Sequence, residues 1–364
     1  MKKGRSWRAR LEIVLELGRA FNSTIGVERL LELIADRTAA LLEAERCSIY
    51  IVDDENDTLW TKTAMGSERI EIPMGKGIAG AVALNGELEN VADAYQDTRF
   101  NREVDRASGY RTRNILAGPM FARGGNVIGV FQLLNSTKGQ FDDEDEELLA
   151  ALSGFAGSAL ENAFLYEELK RTFHSVLEVL AATIDAKHHY TAGHTARVAK
   201  FSCGIAEEVG LPQEEIEVLN VAAYLHDYGK IAIADSVLTK PGRLTNEEFT
   251  EMKKHASKTR EILSRMHFSK EYADVPLIAG SHHERFDGSG YPQGLAGLDI
   301  PRGARIMIYA DVLDALISDR DYRAAMPLKK AFSIIEGEVG TTFDPEIFPQ
   351  FERYVTREVG DPRK

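Results

Sequence analysis

The spacing of apolar positions divides the chain into a mixed first half and a helical second half. From Leu11 to about Leu42 apolar residues recur every three or four positions, which predicts helix. "CSIYIVDDENDTLW" reads as a strand, a polar turn and a second strand. "IEIPMGKGIAGAVALNGELENV" combines a glycine-rich turn, a short helix and another strand. "AGPMFARGGNVIGVFQLLN" is a further hairpin, turning at Gly124-Gly125. From Asp142 the pattern is helical again and stays so past Tyr166. Residues 23–165 therefore read as one α+β domain, an antiparallel sheet with flanking helices. A helix over residues 1–22 precedes it. From about Ala186 to Lys364 nearly everything reads as helix, an all-α bundle.

The join over residues 166–185 carries its own pattern. Leu148, Leu152, Phe155, Ala159, Asn162, Tyr166, Leu169, Phe173, Val176, Leu180 and Thr183 alternate spacings of four and three. Such a heptad seam is expected of a two-stranded coiled coil, and so of a homodimer joined through this helix. The other reading is an amphipathic helix packed on its own domain.

Composition narrows the function. A net charge of -13 argues against a nucleic-acid polymer or an anionic membrane as partner. Cys47 and Cys203 are the only cysteines and lie far apart, so a disulfide framework is not expected. The N-terminus has no signal-peptide core, and no apolar run reaches the roughly 18 residues of a spanning helix. A cytoplasmic protein is the expectation.

The second half gathers metal-type ligands. His194 opens a predicted helix, His226-Asp227 ends one, His255 lies within one, His282-His283 follows "VPLIAG", and Asp311 sits in "ARIMIYADVLDAL". Asp227 and Asp311 follow apolar stretches, where an unpaired carboxylate is costly and a cation is the usual partner. Imidazole with carboxylate suits iron, manganese, nickel or zinc in catalytic rather than structural sites. Seven such side chains exceed the needs of one ion and suit two, with one carboxylate shared.

The ordered set "HDYGK", "KPGRLT", "HHERFDGSGYP", "ADVLDAL" and "SDRDYR" resembles the HD-GYP subfamily of HD-superfamily phosphohydrolases. The resemblance runs from about Ala186 to the end. It implies an all-α domain that hydrolyses cyclic di-GMP to pGpG, and often on to GMP. It also implies that His194, His226, Asp227 and Asp311 hold one metal and that His255, His282, His283 and Asp227 hold the other. Iron is the expected metal, with manganese the alternative. Some family members add a third metal through a Glu four residues before the first His. That position here is Tyr190, so two metals are expected. His188 and His189 stand where the family commonly has an Asp.

Earlier in the chain, "GKGIAGAVALNGE", "DAYQDTRFNREVDRASGYRTRNILAGP" and "GVFQLLN" resemble a GAF domain. Asn135, Phe141, Asp145 and Glu146 fit the signature of cyclic-nucleotide-binding GAF domains, although Ser136 replaces its Lys. They are the candidate ligand residues of that domain.

On this reading Asp227 bridges the metals, and Lys230, three residues on across Gly229, stabilises charge or protonates the leaving oxygen. Arg285, Asp287, Gly288, Gly290, Tyr291, Pro292, Asp314, Arg320 and Arg323 are expected around the substrate. Tyr291 would stack on guanine or reach phosphate, and the arginines would bind phosphate or guanine or else pair with nearby acids. Two alternatives stay open: a cyclic-di-GMP receptor with little turnover, and the same chemistry on another cyclic dinucleotide such as cyclic GMP-AMP.

Overall fold

The structure is a computed structural model, describing residues 15–21, 26–61, 70–187, 193–319 and 324–363. The chain forms two compact units, Met1–Arg171 and Thr172–Lys364.

In the first unit a helix, α1 (Val27–Leu41), leads into strand β1 (Ala44–Asp53). The turn at Asp54–Asp57 returns it as β2 (Thr58–Thr61), pairing Ile51 with Trp60. β3 (Ile70–Pro73), α2 (Gly77–Asn85), β4 (Glu89–Val91), α3 (Arg102–Ser108), β5 (Ile115–Phe121) and β6 (Val127–Ser136) follow. The six strands are antiparallel in the order β3-β2-β1-β6-β5-β4. The β5–β6 hairpin turns where expected, with Gly125 at φ 85, a left-handed conformation that glycine adopts without strain. One face of the sheet buries Ile49, Ile51, Phe131 and Leu133 against Leu30 and Ile34 of α1.

Helix α4 (Asp143–Lys187) is 45 residues long. Its first turn carries Asp143, Glu144, Asp145 and Glu146, which favours a helix N-terminus. Part of it is long and apolar enough to cross a membrane by composition alone. Its Leu149, Leu152, Ala156, Ala159 and Leu160, however, are buried in the core of the first unit. Further on, Leu177 enters the core of the second unit, with Phe173 and Leu180 packed against it, and Ala181 and Ile184 are buried as well. The expected seam is therefore split: its Phe173 and Leu180 pack against the second core, while its Asn162, Tyr166, Leu169, Val176 and Thr183 are exposed. Asn162, Leu165, Leu169, Thr172, Val176, Val179 and Thr183 are among the exposed positions and are again spaced three and four apart. Phe173 and Leu180 are taken up by the domain's own core.

The second unit is helical: α5 (His194–Val209), α6 (Gln213–Leu225), a 3-10 turn at Tyr228–Ala232, α7 (Asp235–Leu238), α8 (Asn246–Leu263), α9 (Val275–Gly280), α10 (Arg302–Ile317), α11 (Leu328–Gly337) and α12 (Phe348–Glu358). α8 starts at a capping box: Thr245 accepts from the Glu248 amide while the Glu248 carboxylate accepts from the Thr245 amide. Tyr309 of α10, wholly buried between Phe343 and Phe351, donates to the Asp344 carbonyl at 2.7 Å.

Candidate metal centre

The seven expected ligands come from α5, the turn after α6, α8, the turn after α9, and α10. His194, His226, Asp227, His255 and His282 are all buried. Their donor atoms fall into three overlapping sets in which all atoms lie within 4.8 Å of one another. These are His194, His226 and Asp311; His226, Asp227 and His282; and His255, His282 and His283.

The rings are aimed by the backbone. His226, His255 and His282 each donate Nδ1–H to the carbonyl three residues earlier: Ala223 at 2.7 Å, Met252 at 2.8 Å and Ala279 at 2.6 Å. These bonds leave each Nε2 as the lone-pair nitrogen and turn it inward. His255 Nε2 lies 3.4 Å from Asp227 Oδ1 and His226 Nε2 3.4 Å from Asp227 Oδ2, so the two oxygens of Asp227 face different histidines. His194 is held by carboxylates instead. Its Nδ1 lies 2.7 Å from Asp314 Oδ2 and its Nε2 3.4 Å from Asp311 Oδ1. Asp311 and Asp314 are three apart on α10 and so share one helix face.

A tight backbone crossing sets the position of the His-Asp pair. A Cβ on Gly229 would meet the His255 carbonyl at 2.0 Å, so only glycine fits there. The Gly229 amide donates to Thr259 Oγ1, which donates in turn to the His226 carbonyl, both at 2.8 Å. This crossing turns Lys230 back so that its ammonium bonds the Asp227 carboxylate.

The charges suit a cation. Burial raises the carboxyl of Asp227, but the Lys230 ammonium beside it outweighs this and holds the group well below the usual carboxylate range. Asp311 is likewise held low against burial by His194. Burial pushes His255 and His282 down, and His283 down to about 3, so these rings are neutral. Burial also disfavours charge on His194, yet its bonds to Asp311 and Asp314 win and hold it at about 9.

The donors fit divalent metal. His226 Nε2 is buried with no hydrogen-bond partner, among neutral imidazoles and ionised carboxylates. A buried nitrogen left bare is costly, and a metal bond satisfies it.

Several expected substrate contacts have other partners. Asp314 is 1% exposed, bonded to His194 and Arg197, and orients the histidine from behind. Arg285 pairs with Glu338 at 2.9 Å and bonds Thr342, which engages one side of its guanidinium inside the domain. Asp287 caps its own turn, accepting from the Ser289 amide at 2.9 Å and hydroxyl at 2.6 Å. Gly288 is at φ 81, and a Cβ on Gly290 would meet the Arg285 amide nitrogen at 2.2 Å. Both glycines therefore shape the loop. Tyr291, joined to Pro292 by a cis peptide, lies beside the metal ligands with its ring 4.8 Å from that of His283. Arg320, Arg323, His188 and His189 lie outside the described residues.

Three supporting residues were not anticipated. Glu284 is buried and accepts from the amides of Gln293 at 2.7 Å and Leu295 at 3.0 Å, closing the loop after the paired histidines. Thr259 and Arg197 act through the bonds above. Thr259 and Glu284 did carry a signal, each being a polar residue within four positions of a ligand histidine.

In the first unit the four candidate ligand residues serve the fold. Asn135 is buried, donating to Glu45 and the Arg111 carbonyl at 2.9 Å and accepting from the Arg113 amide at 2.6 Å. Phe141 lies in the core. Asp145 pairs with Lys138 at 2.7 Å, so Lys138 supplies a cation near where Ser136 had seemed to remove one. Glu146 accepts from Asn90 at 2.8 Å.

Comparison with known proteins follows the same division. Residues 26–160 match the family model for a GAF domain, and residues 178–347 match that for an HD domain. The chain joins a GAF domain to an HD domain. It is 38% identical over 225 residues to the cyclic di-GMP phosphodiesterase response regulator RpfG of Xanthomonas campestris, covering 62% of this chain and 55% of that protein. It is 40% identical over 192 residues to a cyclic di-GMP phosphodiesterase of Thermotoga maritima, covering 51% and 50%. It is 39% identical over 178 residues to the 3'3'-cGAMP-specific phosphodiesterase 3 of Vibrio cholerae, covering 49% and 38%. The chain thus spans about half the length, or less, of these relatives. HD-domain phosphodiesterases are metal-dependent, and this HD domain carries the His/Asp groups for it.

Proposed function

We propose that the chain is a metal-dependent phosphodiesterase that hydrolyses cyclic di-GMP to pGpG, under the control of its GAF domain. The observation that carries this is Asp227, whose two carboxylate oxygens face histidines of both ligand sets. His194, His226, Asp227 and Asp311 would hold one ion, and His255, His282, His283 and Asp227 the other. The mixed nitrogen and oxygen donors favour iron, then manganese. Bound there, such ions supply Lewis acidity toward the phosphoryl oxygens and acidify a water.

The chain's own residues do the rest. Asp227 orders the two sets about one carboxylate. Lys230 keeps a cation beside that carboxylate, where it offsets charge developing on the phosphoryl group and can hand a proton to the leaving oxygen. Tyr291 presents a ring beside His283, suited to stacking on a base. Buried walls around the histidines exclude bulk water and strengthen each of these interactions.

Control is proposed to run through α4. Its last residue, Lys187, donates to the Ile231 carbonyl at 3.2 Å and pairs with Asp235 at 3.1 Å, on the segment that follows Lys230. The exposed stripe from Asn162 to Thr183 suits a second copy of the same helix, and a cytoplasmic homodimer is proposed on that basis.

A second reading, the same hydrolysis of 3'3'-cGAMP, is favoured by the likeness to the Vibrio cholerae protein. The test is a turnover assay on purified full-length chain across cyclic dinucleotides, run anaerobically with iron and separately with manganese. Product from cyclic di-GMP supports the proposal, and product from cGAMP alone supports the second reading. Tight binding without product from any of them would make the protein a receptor.

A further inference from the structure

Lys253 lies on α8, two residues before His255, and is half-buried. Its neighbours on the same helix are neutralised: Lys254 pairs with Glu251, and Lys258 pairs with Glu261 at 2.8 Å.

 Lys253 has no ion pair among the described residues, although the chain is strongly acidic. Its ammonium instead lies 5.2 Å from the centroid of the Phe249 ring and 5.8 Å from that of Tyr291. Both distances suit a cation held against aromatic faces. Tyr291 in turn sits 4.8 Å from the ring of His283. Phe249, one helical turn before Lys253, is 50% exposed. The three side chains form a lip beside the metal centre, with a free cation flanked by one covered and one open aromatic face.

We propose that Lys253, flanked by Phe249 and Tyr291, binds the phosphate of the cyclic dinucleotide that is not being cleaved. This rests on the phosphodiesterase reading above. A cyclic dinucleotide carries two phosphodiesters in one ring, each with a negative charge. When one is at the metal centre, the other must lie close by, and water is a poor substitute for a counter-charge beside aromatic rings. Lys230 is committed to Asp227 and so serves the reacting phosphate. Lys253 has no such commitment and supplies the second positive point. The lip thereby selects a two-phosphate ring over a simple diester.

The test compares full-length wild type with Lys253→Gln and Lys253→Arg, all loaded with metal. Each is assayed on cyclic di-GMP and on bis(p-nitrophenyl) phosphate, which has one phosphodiester only. Loss of a charge-assisted contact should raise KM for cyclic di-GMP roughly 10- to 100-fold in Lys253→Gln. The loss should be at least several-fold smaller on the simple diester, kcat on cyclic di-GMP should change little, and Lys253→Arg should recover most of the KM. Equal losses on both substrates, or an unchanged KM for cyclic di-GMP, would overturn the assignment. Calorimetric binding of cyclic di-GMP to the same variants separates this from the parent reading. If wild type hydrolyses neither substrate, hydrolysis fails as the function. Weaker binding by Lys253→Gln than by wild type would then still support the subsite, and equal binding would refute it.

Discussion

Asp314 stands behind His194, with its Oδ2 2.7 Å from the ring's Nδ1, and the far nitrogen faces the metal centre. Arg197 holds Asp314 from the other side, so the ring is fixed through a chain of two contacts. Removing such an orienting carboxylate typically weakens metal binding 10- to 100-fold. Asp314→Asn should therefore lower metal affinity by about that factor, read by competition with a chelator. Wild-type affinity in that variant would show that the helix alone orients His194.

Asp227 and Lys230 should separate in their effects. Asp227→Asn removes the shared charge, so turnover should vanish and metal content should fall from about two ions per chain. Lys230→Ala should keep both ions and lose roughly 100- to 1000-fold in kcat, the usual loss for one preorganised charge contact. Elemental analysis beside steady-state kinetics checks both. A Lys230→Ala enzyme with wild-type kcat would end its catalytic role.

Acid should weaken the GAF domain through Glu45. Hydrogen bonds from Asn135, then Arg113 and Tyr110, lower this carboxyl from 4.5 to about 2. A depressed pKa contributes stability that is present above 4.5 and lost as the pH falls through about 2. Trp60 lies in β2 of this domain, so its fluorescence reports it. The urea midpoint of wild type should fall more steeply over that acid range than that of Glu45→Gln. Parallel profiles would show that the bonds contribute nothing net.

The outer stripe of α4 should carry the dimer. Leu169 is 67% exposed and Val179 63%, positions where a lysine costs an isolated helix little. Light scattering should report a dimer for wild type and a monomer for Leu169→Lys with Val179→Lys. Insertion of a few residues near Leu169 should abolish the response of the HD domain to its GAF effector while leaving metal content unchanged. A wild-type monomer at micromolar concentration would rule out the dimer.

The His and Asp side chains that cluster in the HD domain were legible in the sequence because each is a costly residue in an apolar setting, and several such residues recur in one order. The β-hairpins were legible because polar turns and Gly124-Gly125 interrupt alternating strands. Partners across space were not. Nothing near Arg285 in sequence announces Glu338 and Thr342, more than fifty residues on, so its pairing could not be told from phosphate binding. Nor does a run of spacings tell which stripe faces inward. Phe173 and Thr172 both continue a heptad from Leu169, and only the packing of the HD core assigns Phe173 to the inside. The Asn135 set misled for a related reason, since a side chain that locks a turn and one that binds a ligand share the same polar signature.

Phe173, Leu177 and Leu180 seat the end of α4 in the HD core, and Lys187 fastens its last turn to the segment after Lys230. Each residue step around a helix is about 100°, so spinning this helix by even one step would pull that whole row out of its sockets. The helix is splined to the HD domain like a shaft to its gear. A signal arriving along it cannot be a twist that slips past the catalytic unit. It must carry that unit with it as one body, and in the proposed dimer the quantity left to regulate is the posture of one HD domain against its twin.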